Sequence, residues 1–235
     1  LYIILLCGLF KNIVLLAMLI IPHELGHAIM GELCGFHVKE IRFCPYGGNT
    51  VFDSLSNSSL KEEWMVLLAG PMMQMIVFYL LSFVLPVDDF EILKMYHFAL
   101  LGFNLLPFYP LDGGKAVQLL FASFLPYYRS LLVTVLISLA GLSVSILFSF
   151  LTRSYQLTFI LILVFVKCLE TFRKRHFLFQ SYLLTRYLHP RDFPRKKVIV
   201  SLDQMYLGRS HIFRTDGMNW TEKVFLNHYF QSKKL

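Results

Sequence analysis

Apolar runs of about twenty residues, repeated along the chain, restrict what this sequence can fold into more than any other feature. Ile13 to Ile21 contains no charged residue, and further runs cover Trp64 to Leu85, Ile92 to about Leu106, Leu131 to Leu151 and Tyr155 to Leu169. A helix needs about 20 residues to cross the hydrocarbon of a bilayer. There, every backbone N–H and C=O must be paired within the protein, so helices are the natural solution. Only 16% of the 235 residues are charged and 56% are hydrophobic, against about 25% charged in an ordinary soluble domain. The mean hydropathy is +0.59. The chain is therefore expected to lie in a membrane, with the lipid bilayer as its first partner.

Leu1 to Phe10 is a shorter apolar run, which Lys11-Asn12 is expected to break, and it does not read as a cleavable signal peptide. Counting it gives six crossings. Between the second and third runs lies a polar stretch, His37 to Glu63. Within it, Val38 to Phe43 alternates loosely, Pro45-Tyr46-Gly47-Gly48-Asn49 is turn chemistry, and Thr50-Val51-Phe52 returns as a strand, which predicts a β-hairpin. The fold class expected is thus an α-helical polytopic membrane protein with about six transmembrane helices and a small hairpin. A membrane domain over residues 1–170 precedes a basic tail over 171–235.

The formal charge of +7 invites a nucleic-acid reading. The basic residues, however, gather after Glu170, as Arg173, Lys174, Arg175, Arg186, Arg191, Arg195, Lys196 and Lys197. That position beside the last apolar run reads as membrane-orienting charge, with no nucleic-acid partner. A cytoplasmic tail follows. Counting back places the hairpin and Lys115 on the cytoplasmic side, and Asp88-Asp89-Phe90-Glu91 with His97 on the other. The four cysteines form no CxxC pair and read as small apolar side chains.

His23-Glu24-Leu25-Gly26-His27 carries the chemistry. Residues i and i+4 share a helix face, so His23 and His27 can hold one Zn2+ through ring nitrogens. Glu24 can then take a proton from the attacking water and return it to the leaving amine. With eight His in the chain and as many Glu, chance supplies about 0.01 such matches. An unpaired ionisable group in a membrane helix costs about 2.5 kcal/mol or more, so three of them without a function would be hard to retain. A cluster that merely hydrogen-bonds neighbouring helices is the bland alternative. Gly26 serves a close approach of another backbone equally well as plain packing.

A catalytic zinc takes three protein ligands and keeps one open position. Asp112, in Leu111-Asp112-Gly113-Gly114 after a span broken by Pro107 and Pro110, is the candidate. On the residues alone it reads equally as an N-cap for a short helix expected over Lys115 to Phe124. Asn104, just before the break, can stabilise a tetrahedral intermediate or cap the broken helix. The same His/Asp cluster also fits a metal transporter or sensor, although Glu24 would then be redundant.

Taken together, HELGH, Ala69-Gly70-Pro71, and Asn104-Leu-Leu-Pro107 with Pro110-Leu-Asp-Gly-Gly114 resemble the site-2 protease family of intramembrane metalloproteases. Pro45-Tyr46-Gly47-Gly48 and Leu60-Lys-Glu-Glu63 bring the resemblance nearest to its sporulation branch. The resemblance implies a six-helix membrane domain, zinc held by His23, His27 and Asp112, and Glu24 as the catalytic base. It makes Asn104 a substrate contact and puts Gly47 and Gly48 in a re-entrant hairpin that binds substrate. It implies a membrane-associated substrate, a sigma-factor precursor, in the mother-cell membrane, and inhibitory membrane partners. It also implies a C-terminal CBS-like nucleotide-binding segment. Here, the residues from Lys196 onward are fewer than such a fold needs. Val198 to Leu202 and Ser210 to Phe213 are expected as strands and Thr221 to Phe230 as a helix, a shortened version of that segment.

Overall fold

The computed structural model describes residues 2–44, 47–52, 57–215 and 218–232. Its elements fall into two compact units, one formed by residues 1–53 and 65–106, the other by 54–64 and 107–235.

The first unit is built on α1 (Tyr2–Leu33), one continuous helix that is followed by β1 (Val38–Cys44) and β2 (Gly47–Phe52). Lys11-Asn12 does not break α1: lysine is a good helix former, and Lys11 pairs with Asp89. The first two expected spans are therefore one helix. Its faces divide cleanly. Ile13, Met18, Ile21, Leu25 and Ile29 are exposed, while Leu15, Leu19, His23 and His27 are buried, a spacing of four that keeps them on one face. Leu15 and Leu19 meet Leu93, with Phe78, Leu81, Phe90 and Tyr96 packed around them.

Helix α2 spans Leu60–Leu81 and α3 spans Val87–Asn104. The acidic patch, which the apolar runs leave between two spans, lies in the first turn of α3, where Asp88 and Asp89 complement the positive end of the helix dipole. β1 and β2 pair antiparallel, with Gly47 opposite Cys44 and Gly48 opposite Phe43. The two glycines are thus strand residues rather than turn residues, and the turn assigned to Pro45-Tyr46 lies outside the described residues. Thr50 and Phe52 share one face of β2, as strand alternation requires. That face meets α1. A Cβ on Gly31 would stand 2.1 Å from Phe52 Cε1, so only glycine lets the Phe52 ring seat there.

The second unit contains α4 (Asp112–Phe124), α5 (Tyr127–Leu151), α6 (Tyr155–Leu188), a three-stranded sheet and α7 (Glu222–Ser232). In the sheet, β3 (Lys196–Ile199) runs parallel to β4 (Ser210–Thr215), and β5 (Met218–Thr221) runs antiparallel to it. β4 and α7 lie where a strand and a helix are expected, whereas β3 overlaps the expected Val198 to Leu202 only at Val198 and Ile199, Leu202 opening a 3-10 turn, and β5 is additional. The sheet is tied to α6 by a buried cluster. Arg186 donates to both Glu222 oxygens, at 2.6 and 2.8 Å, and His211 Nδ1 lies 2.9 Å from Glu222. Burial opposes the charge on Glu222, but the hydrogen bonds from His211 and Arg186 outweigh it and hold its carboxyl down, at about 2.

Among the described residues, four helices are long and apolar enough to cross a membrane: 10–33 within α1, then α2, α5 and α6. The expected six are not reached by this measure. The first two segments of the count are one helix, and α3 carries Asp88, Asp89, Glu91 and Lys94 within 18 residues. The chain is an integral membrane protein of mainly helical fold with a small sheet.

Candidate metal centre

His23 and His27 stand one turn apart on the buried face of α1, and both are held from behind. His27 Nδ1 lies 2.8 Å from the carbonyl oxygen of Val66 on α2. A carbonyl only accepts, so Nδ1 carries the proton and Nε2 carries the lone pair. His23 is fixed by a longer relay. Gln74 Nε2 donates to the carbonyl oxygen of His97 at 3.3 Å, which settles which end of the amide is nitrogen. Gln74 Oε1, 3.0 Å from His23 Nδ1, must then accept. Nε2 is therefore the unprotonated nitrogen of His23 as well.

The two Nε2 atoms are 3.2 Å apart. Two lone pairs facing each other repel unless a positive centre sits between them. Imidazole nitrogens bound about 2.05 Å from a tetrahedral ion lie about 3.3 Å from each other. The pair thus has the tautomers and the spacing of two metal ligands. Both rings are almost fully buried, which excludes competing solvent.

Glycine makes the approach of α2 possible. A Cβ on Gly70 would lie 2.2 Å from His27 Nε2, and one on Gly26 would lie 2.5 Å from the Ala69 carbonyl oxygen. The open alternatives for Gly26 are thereby resolved: α2 passes so near that nothing larger fits.

Glu24, 3% exposed, projects beside the histidines toward the hairpin. Thr50 Oγ1 donates to Glu24 Oε2 at 3.0 Å and approaches its main-chain carbonyl at 3.2 Å. Seven residues separate Glu24 from Gly31, so Thr50 and Phe52 engage one stripe of α1. Asn104, the last residue of α3, is buried with its Nδ2 3.4 Å from His23 Nε2. Its amide borders the point on which the two histidines converge.

Asp112 opens α4 in the second unit. The helix begins three residues earlier than expected, with Leu111 at the cap position and no side-chain cap bond. Asp112 is therefore inside the helix, and the cap role is excluded. Its Oδ1 accepts from Lys115 Nζ at 3.4 Å. The segment before it is pinned within the unit. Ser138 Oγ accepts the Tyr109 N–H at 2.9 Å, and a Cβ on Gly114 would lie 2.3 Å from the Phe108 main-chain carbon.

Three participants were not recognised from the sequence. Gln74 had a visible signal, a fully buried amide within an apolar helix. His97 was set aside on topology, yet it packs against Gln74. Thr50 had no signal, because only docking of the hairpin brings it to Glu24.

These are the features of an HExxH metallopeptidase site set into a membrane helix. Residues 11–89 match Peptidase family M50, and the chain belongs to that family, the site-2 proteases. It is 32% identical over 190 residues to stage IV sporulation protein FB of Bacillus subtilis, an alignment covering 78% of this chain and 66% of that protein. A zinc metalloprotease of Methanocaldococcus jannaschii is 27% identical over 161 residues, covering 65% of this chain and 46% of that one. The chain thus spans under two thirds of the length of these relatives. The fold is shared with the site-2 protease from Methanocaldococcus jannaschii, with a TM-score of 0.57 at 23% identity, covering 67% and 75% of the two chains.

Proposed function

We propose that this protein is an intramembrane zinc endopeptidase that cleaves a membrane-associated protein near the cytoplasmic leaflet. The observation that carries the reading is the pair of buried imidazoles, whose unprotonated Nε2 atoms lie 3.2 Å apart, beside a buried glutamate. Asp112 is the proposed third ligand. The Leu-Asp-Gly-Gly pattern supports it, as do its burial in the first turn of α4 and the loss of its capping role.

Zinc in such a site polarises the scissile carbonyl and lowers the pKa of water to about 7. The protein's own groups do the rest. Glu24 takes the proton of the attacking water and returns it to the departing amine. Thr50 holds its carboxylate in register. The Asn104 amide faces the reacting centre and can donate to the oxygen on which charge develops. Gly47 and Gly48 lie on a two-stranded hairpin, and an extended substrate can add to its edge. A helical substrate must unwind before it can do so.

The sporulation relative supports a substrate of the class that the resemblance implies, a membrane-associated sigma-factor precursor, with membrane partners that hold the protease inactive. The basic tail supports a cytoplasmic C-terminus, and the sporulation relative supports a place in the mother-cell membrane.

Two measurements test the site. Asp112→Asn keeps size and removes the anionic ligand; zinc content of the purified protein is expected to fall well below that of the parent, and cleavage with it. Full zinc retention would remove Asp112 from the ligand set. Thr50→Val deletes the hydroxyl on Glu24. Hydrogen bonds to charged groups are worth about 1.5–3 kcal/mol, so kcat is expected to fall roughly 10- to 100-fold with KM and zinc unchanged. Thr50→Ser, which keeps the hydroxyl, is expected to restore it.

A further inference from the structure

We propose that Gln74 is a metal-positioning residue: it sets the tautomer and orientation of His23 from α2, anchored in turn on α3 at His97. The inference rests on the metal-site reading above and deepens it.

Gln74 has no exposed surface. It lies among Met72, Met73, Met75 and Ile76 in a helix apolar enough to span a membrane. A buried amide in such a place is costly unless its donors and acceptor are satisfied. Both ends are. Nε2 reaches the His97 carbonyl oxygen and the His97 Nδ1, each at 3.3 Å. Oε1 faces His23 Nδ1 at 3.0 Å. The order of these contacts has one direction only. The His97 carbonyl cannot donate, so it takes the amide N–H, and the amide oxygen is left to take the proton of His23 Nδ1. The lone pair of His23 is thereby directed to the side shared with His27. The Phe78 and His97 rings are stacked at 4.0 Å, which restrains His97 as the base of the relay.

His27 needs no such residue, because a main-chain carbonyl, that of Val66, performs the same task. The two ligands are thus supported unequally. His27 is held by backbone and His23 by a side chain that mutation can remove. Outer partners of metal-bound histidines fix ring orientation and raise ligand basicity, and their loss typically lowers metal affinity about 10- to 100-fold.

The test is zinc affinity of the full-length purified protein, read by competition with a chelating dye. Gln74→Met, similar in size but without an acceptor, is expected to bind zinc about 10- to 100-fold more weakly than the parent. Gln74→Glu retains an acceptor for His23 Nδ1, and His97 can donate to its second oxygen after a tautomer change. Having lost the bond to the His97 carbonyl but kept the acceptor for His23, it is expected to bind zinc more tightly than Gln74→Met. With cobalt(II) in place of zinc, Gln74→Glu is expected to shift the visible absorption band, because a carboxylate partner makes the His23 ring a stronger donor. This band is read on Gln74→Glu alone, so the proposal stays testable if Gln74→Met does not fold. Equal affinity of Gln74→Met and the parent, or an unmoved cobalt band in Gln74→Glu, overturns the positioning role. His27→Ala is the control for the site itself. If the parent and His27→Ala hold zinc alike, the metal reading fails, not the relay.

Discussion

Glu24→Gln is expected to abolish cleavage while leaving zinc bound. The substitution preserves side-chain size and still accepts the Thr50 hydroxyl through its amide oxygen, so hairpin docking on α1 survives. It removes the only function that Glu24 has in the mechanism, acceptance and return of a proton. General-base groups contribute about 10²- to 10⁴-fold to rate, and a loss at the upper end leaves no detectable product in a co-expression experiment. The measurement pairs the chain with a membrane-tethered sigma-factor precursor and compares parent with Glu24→Gln at equal protein and zinc content. Product from the parent alone supports both the mechanism and the substrate class. Product from both would mean that another group, or another protease, performs the reaction. Zinc bound in both without product from either would remove the substrate class and return weight to a transport role for the cluster.

Gly70→Ala is expected to be as damaging, for a purely steric reason. The added methyl would lie 2.2 Å from His27 Nε2 and 2.5 Å from Cε1, where ordinary contact needs well over 3 Å. The ring cannot swing away without losing the Val66 carbonyl, which lies on the same helix as Gly70. Either the ligand atom moves off the metal position or α2 moves off α1. Zinc affinity is expected to fall by more than the roughly 100-fold that bounds outer-partner losses, with cleavage lost. Gly102→Ala is the matched control, since a Cβ there meets nothing within 4 Å and alanine is the better helix former. A Gly70→Ala protein that holds zinc like the parent would show that His27 does not sit where the metal binds.

The tail illustrates how far pattern reading reaches. Short apolar stretches after Lys196 point to two strands and a closing helix, although β3 begins and ends two to three residues before the expected Val198 to Leu202. They could not supply β5, whose four residues pair only because β4 offers an edge. The Lys11-Asn12 break failed for a related reason. A charge in an apolar run looks like a boundary until a partner such as Asp89 on another helix accommodates it. The acidic patch opens α3 because Asp88 and Asp89 complement the positive end of the helix dipole, which composition does not reveal.

What the sequence determined by itself was the solvent and the chemistry. Long uncharged runs require a bilayer, because no soluble fold can hide so much apolar surface, and two histidines four apart with a glutamate between them share one helix face by geometry alone. What the tertiary structure decided was everything that holds those groups. The tautomers of His23 and His27 depend on a carbonyl at Val66 and an amide at Gln74, 39 and 51 residues away. The carboxylate of Glu24 depends on a threonine that reaches it only when the hairpin docks against α1. These partners lie on other elements, so their identity follows from packing rather than from any local pattern.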